Sequence, residues 1–171
     1  LAGDSNEVQT KAAGALSNRQ QLALNAENRI AIEKAGAIPA LVALLAGDSN
    51  EAQTEAAGAL RNLAVNADNK IAIAAAGAIP ALVALLAGGS REAQTKVAGA
   101  LRNLASNSAD NKIAIAAAGA IPALVALLAG DSNEVQTKAA GALSNLALNA
   151  EKEAAGALRN LAVNADNKIA I

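Results

Sequence analysis

An all-α solenoid built from three-helix units of 41 to 42 residues is the fold class this sequence predicts. The first observation behind it is self-similarity. "GAIPALVALLAG" occurs identically at 36–47, 77–88 and 119–130, which sets the period at 41 and then 42 residues. A repeat of that length is one supersecondary unit that cannot bury its apolar face alone and must stack on its neighbours. The second observation is punctuation, because each unit holds three apolar-periodic stretches separated by residues that start and stop helices.

The first helix of a unit is "NADNKIAIAAAG" at 66–77, which opens on Asn and Asp, good N-cap types, and closes on a glycine suited to a left-handed turn. "AIPALVALLAG" follows as the second helix. Pro80 stands near its start, where a missing N–H costs nothing, and Gly88 stands at its end. Being apolar on nearly every side, this helix is predicted to be buried. The third helix, "DSNEAQTEAAGALRNLAVN" at 48–66, starts at Asp48 with Glu51 three residues on, the pattern of a capping box. At about 100° per residue, Ala52, Ala56, Leu60, Leu63 and Ala64 fall on one side as a core stripe. Glu51, Glu55, Gly58, Asn62 and Val65 gather within roughly an 80° sector on another side.

Composition closes most of the enzyme repertoire. There is no His, Cys, Met, Phe, Tyr or Trp in the 171 residues. Imidazole general acid–base chemistry, Ser-His-Asp and Cys-His nucleophiles, thiolate and imidazole metal sites and aromatic stacking platforms are therefore excluded. The carboxylates sit mostly at helix starts, where capping and the helix dipole explain them. We expect no catalysis, no metal and no cofactor. With 14 Lys plus Arg against 15 Asp plus Glu, the net charge of −1 gives no bulk attraction for nucleic acid or acidic membranes. The 20 uncharged residues between Lys70 and Arg91 have the length of a membrane span. Their Ala and Gly content, Pro80 in the middle, and Glu33 and Lys34 in the equivalent first stretch favour a buried soluble segment instead. No signal peptide is expected, and the absence of Cys leans toward a cytoplasmic or nuclear location.

The whole unit, "NKIAIAAAGAIPALVALLAGDSNEAQTEAAGALRNLAVN", resembles the armadillo repeat, with a flavour closest to the arrays of plant U-box and vacuolar armadillo proteins. The likeness covers almost the whole chain and rests on G-A-I-P at the start of the second helix combined with "ALxN" near the end of the third. It implies a right-handed superhelix whose third helices line a concave face, and in that family the matching asparagine often hydrogen-bonds the backbone of an extended peptide. Here those residues are Asn18, Asn62, Asn103, Asn145 and Asn160. One position departs from the nuclear-import receptors of the family, which carry tryptophan four residues before the asparagine. This chain has Gly14, Gly58, Gly99, Gly141 and Gly156 there. Without indoles there are no slots for Lys or Arg stems and no cation–π contribution.

Each candidate has a structural alternative. An Asn amide offers donor and acceptor together and suits backbone recognition, but it can equally bond its own or a neighbouring helix. The glycines can serve close helix approach. Arg61, Arg102 and Arg159, each just before an asparagine, can grip carboxylates or phosphates bidentately, although Ser17 and Ser144 take that place elsewhere. Lys11, Glu55, Lys96, Lys138 and Glu153 vary in sign and fit either a contact ladder or a solvated face.

The predicted organisation is one array: a partial repeat 1–24, repeats at about 25–66, 67–107 and 108–149, and a truncated repeat 150–171. Two irregularities interrupt it. Residues 1–18 equal 128–145 and both continue into "LALNAE", but Arg19 to Gln21 intervene in the first copy, predicting a bulge or break. Between Asn145 and Asn160 about 27 residues of a unit are missing, so the 151–153 junction is either a deletion or a splice. The ends fall mid-unit without polar caps, so we expect part of a longer array or end-to-end self-association. The expected function is a noncatalytic scaffold for a protein or an extended peptide. The alternative is an architectural element, or a consensus-like designed array without a ligand.

Overall fold

The computed structural model describes residues 10, 11, 14 and 26–148. Their fold is all-α. Nine helices follow one another in three successive triplets among the described residues: α1 (Ala26–Lys34), α2 (Ala37–Leu45) and α3 (Asn50–Leu63); α4 (Ala67–Ala75), α5 (Ala78–Gly88) and α6 (Arg91–Ala105); α7 (Ala109–Ala117), α8 (Ala120–Leu128) and α9 (Asn133–Ala147). The third helices α3, α6 and α9 stack side by side in the most extensive pairings of the fold, and the second helices stack likewise beside them. The Arg19–Gln21 insertion and the 151–153 junction lie outside the described residues.

The corner between first and second helices depends on one glycine. Gly36, Gly77 and Gly119 adopt φ of 76°, 76° and 83°. A Cβ at any of the three would meet nothing within 4 Å. The requirement is therefore the left-handed backbone and not space. Each of these residues ends one helix and immediately precedes the next. The uncharged stretch is thereby folded into two helices, Ala67–Ala75 and Ala78–Gly88, bent by 81°. No single described helix is long and apolar enough to cross a membrane.

The third helices begin one residue later than the sequence predicts. Ser49 is the N-cap of α3, its hydroxyl accepting from the Ala52 N–H at 3.2 Å, so Asp48 with Glu51 forms no capping box. Ser90 and Ser132 cap α6 and α9 in the same way. Within "DSN" all three residues are good N-caps. The serine takes the position, its hydroxyl bonding the N–H of the third helical residue, and Ala52 and Ala56 beyond it are buried.

The core stripe runs as expected. Ala56, Leu60 and Ala64 are fully buried, and Ala52 and Leu63 nearly so. The second helices follow the prediction only where another unit lies over them. Ile79 in α5 is 3% exposed, whereas the identical Ile121 in α8 is 43% exposed. Val83 and Val125 differ in the same sense, as do Leu86 and Leu128. A near all-round apolar helix is buried only by a neighbour on both sides, and among the described residues nothing covers the second face of α8.

Candidate functional site

The asparagines of the third helices carry the most regular polar feature of the fold. Asn103 on α6 donates its Nδ2 to the carbonyl of Arg61 on α3 at 2.8 Å. Asn145 on α9 donates its Nδ2 to the carbonyl of Arg102 on α6, also at 2.8 Å. Each asparagine is thus fastened to the helix of the preceding unit, with its amide plane fixed. A primary amide has two N–H donors and a carbonyl oxygen with two lone pairs. The bond to the preceding helix uses one N–H and leaves the other N–H and Oδ1 on a half-buried surface. Asn62 is half-buried as well, and its Oδ1 accepts a longer contact of 3.4 Å from Arg61 Nη2. Asn18, Asn160 and Arg159 lie outside the described residues.

The glycines of the ladder answer to arginines. A Cβ built on Gly99 would stand 2.7 Å from Arg61 Cδ, and one on Gly141 would stand 3.2 Å from Arg102 Cδ. What each glycine admits is thus the arginine stem of the preceding unit, which crosses from its own helix to lie on the next. The direction is that expected of a helical side chain, which leans toward the N-terminus of its helix. In the position where the import receptors have an indole, this chain places an aliphatic arginine stem from the neighbouring unit. Sequence reasoning missed the pairing because Arg61 and Gly99 are on different helices of different units. A recurring Arg in one unit together with a recurring Gly in the next is the signal that could have shown it.

An alanine gains about 1 kcal/mol over glycine in a helix interior. At Gly99 that gain competes with the Arg61 stem. We expect Gly99→Ala to stabilise by about 1 kcal/mol in an Arg61→Ala background and by measurably less in the parent. A double-mutant cycle by urea denaturation reads the difference, and equal gains in both backgrounds would mean that the stem does not rest on the glycine.

Beyond Gly99 the Arg61 side chain helps line a cleft of about 340 Å³ with Arg91, Glu92, Thr95 and Lys96 of α6 and Ser132 and Glu134 at the start of α9. Two of its cations are engaged. Arg91 Nη2 pairs with Asp131 at 2.7 Å, and Lys96 Nζ lies 3.7 Å from Glu92 one turn away. Arg61 and Arg102 have no carboxylate partner among the described residues. Lys138 is half-buried one turn before Gly141, as Lys96 is before Gly99. At the equivalent place on α3 the sign reverses. Glu55 leans toward Gly14, where an added Cβ would lie 3.7 Å from Oε2, and that oxygen is buried with no hydrogen-bond partner among the described residues.

Lysines away from this face do structural work. Lys70 Nζ donates to the Ser106 carbonyl at 2.6 Å and Lys112 Nζ to that of Leu148 at 2.7 Å, placing a cation at the C-terminal end of α6 and α9. Partial burial lowers the Lys70 pKa from its ordinary value through desolvation. Among the described residues no group of three or more carboxylates could hold a metal ion.

Comparison with known proteins agrees with this fold. Among solved structures, the chain is similar to an engineered protein at 37% identity, with a TM-score of 0.79 over 83% of this chain and 58% of that one. The designed armadillo repeat protein YIII(Dq)4CqI is similar at 34% identity, with a TM-score of 0.75 over 82% of this chain and 58% of that one. A further designed armadillo protein, YIII(Dq.V1)4CPAF, solved in complex with the peptide (KR)4, is similar at 35% identity and a TM-score of 0.75, over 82% of this chain and 58% of that one. The chain therefore spans less than two thirds of the length of these structures. No curated protein matches it. The Armadillo/beta-catenin-like repeat family matches residues 25–65, 66–106 and 108–148. With its three described triplets each matched in turn, the chain belongs to the Armadillo/beta-catenin-like repeat family.

Proposed function

We propose that the chain is a noncatalytic scaffold that binds an extended peptide across α3, α6 and α9. The observation that carries this reading is the identical setting of Asn103 and Asn145. Each is held by a 2.8 Å bond to the preceding helix and presents a remaining N–H and Oδ1. A donor and an acceptor side by side on a fixed plane complement the C=O and N–H of an extended backbone, whatever its side chains. Asn62, and by sequence Asn18 and Asn160, extend the same row. The designed neighbour bound to (KR)4 shows that an armadillo array can take a peptide.

The bond of each asparagine to the preceding unit also favours a second reading, in which the row is purely a set of fasteners within an architectural rod or a designed array. One experiment separates the two. Immobilised unstructured peptides of mixed sequence should retain the parent chain, and Asn103→Ala with Asn145→Ala should reduce retention at least tenfold. The same pair should cost about 1 kcal/mol of stability for each lost hydrogen bond, leaving the chain folded by circular dichroism. If the parent is not retained by any peptide and the variants differ only in stability, the fasteners are all there is.

The open face of α8 supports membership of a longer array, with a further unit of the same kind as its cover. Ile121, Val125 and Leu128 there repeat Ile79, Val83 and Leu86, which are buried where the next triplet follows.

A further inference from the structure

We propose that the third-helix face selects an acidic extended peptide, with Arg61 and Arg102 each receiving a carboxylate. This rests on the peptide-binding reading and adds the chemistry of the side chains.

Arg61 and Arg102 occupy the same position in successive units, immediately before an asparagine of the ladder. Both stems are laid over a glycine of the next helix, so part of the entropy of ordering a long side chain is met before any ligand arrives. Neither guanidinium has a carboxylate partner among the described residues, although Arg91 close by is paired with Asp131 at 2.7 Å. A planar guanidinium is well suited to bidentate capture of a carboxylate. Lys96 lines the cleft with Arg61, and Lys138 stands in the corresponding place for Arg102. Glu92 and Glu134 also line the cleft, but Glu92 already faces Lys96 at 3.7 Å.

The spacing fits as well. Packed helix axes lie about 8–10 Å apart, and alternate residues of an extended strand recur about every 6.7 Å on one side. An arginine side chain spans that difference. Glu55, whose Oε2 has no hydrogen-bond partner among the described residues, marks where acidic side chains cease to be welcome.

The test uses fluorescence anisotropy with three labelled peptides of equal length, alternating Ser with Glu, Gln or Lys. We expect the Glu peptide to bind at least tenfold tighter than the Gln peptide, with the advantage shrinking as salt rises. The Arg61→Gln and Arg102→Gln double variant, which keeps part of each stem over its glycine, should abolish the advantage of the Glu peptide over the Gln peptide. Arg61→Lys with Arg102→Lys should fall between. Equal binding of Glu and Gln peptides, or tighter binding of the Lys peptide, would overturn the acidic preference while leaving backbone recognition standing. If none of the three binds, backbone recognition falls with it.

Discussion

Ile79→Ala should cost about 2–5 kcal/mol, and the same change at Ile121 should cost less than about 1 kcal/mol. The two isoleucines sit in identical helix sequences at identical positions, one 3% and the other 43% exposed. Removing the buried side chain loses its transfer free energy and leaves a cavity between two units. Removing the exposed one forfeits little of either. Because each triplet touches only its neighbours, a defect at Ile79 also weakens the coupling that holds the array as one cooperative body. Chemical denaturation monitored by circular dichroism checks both values. Equal costs would mean that the open face of α8 is covered in solution.

Covering that face deliberately should have the opposite effect. Appending a unit equivalent to α4–α6 after Ala147, in place of residues 148–171, should bury Ile121, Val125 and Leu128 as Ile79, Val83 and Leu86 are buried now. Full burial of such a side chain is worth about 1.5–3 kcal/mol. Three side chains that are already half covered should together yield about 3 kcal/mol. For a chain of this size that corresponds to a rise in Tm of about 6–12 °C, readable by differential scanning calorimetry. An unchanged Tm would show that stacking is not what the face lacks.

Much of the fold was legible because it is written in short-range spacing. The stripe from Ala52 to Ala64 needs only the 100° turn of a helix, and the glycine corners need only a position of positive φ, so both follow from neighbouring residues. The cap of α3 was misplaced by one residue because Asp48, Ser49 and Asn50 are chemically equivalent as caps. Residue type alone does not rank them. The candidate site was legible as a row of residues but not as a set of contacts. That Asn103 is fastened to the carbonyl of Arg61, and that Gly99 admits the Arg61 stem, depends on how one unit is set against the next. A helical wheel drawn for one unit holds no such information.

The joint between α6 and α7 has a practical consequence. The unit there is one residue longer than its predecessor. The extra length is taken up by Asn107, the non-glycine residue with positive φ among the described residues, at 55°. Ser108 then caps α7 as Asn66 caps α4. Helices on both sides keep their lengths within one residue. This exposed corner is a place where the chain absorbs length without disturbing the stack. Because lengthening a flexible loop costs only about 0.6 kcal/mol per doubling, foreign segments such as an epitope, a fluorophore-bearing loop or a protease site can be spliced in there, leaving the third-helix face intact.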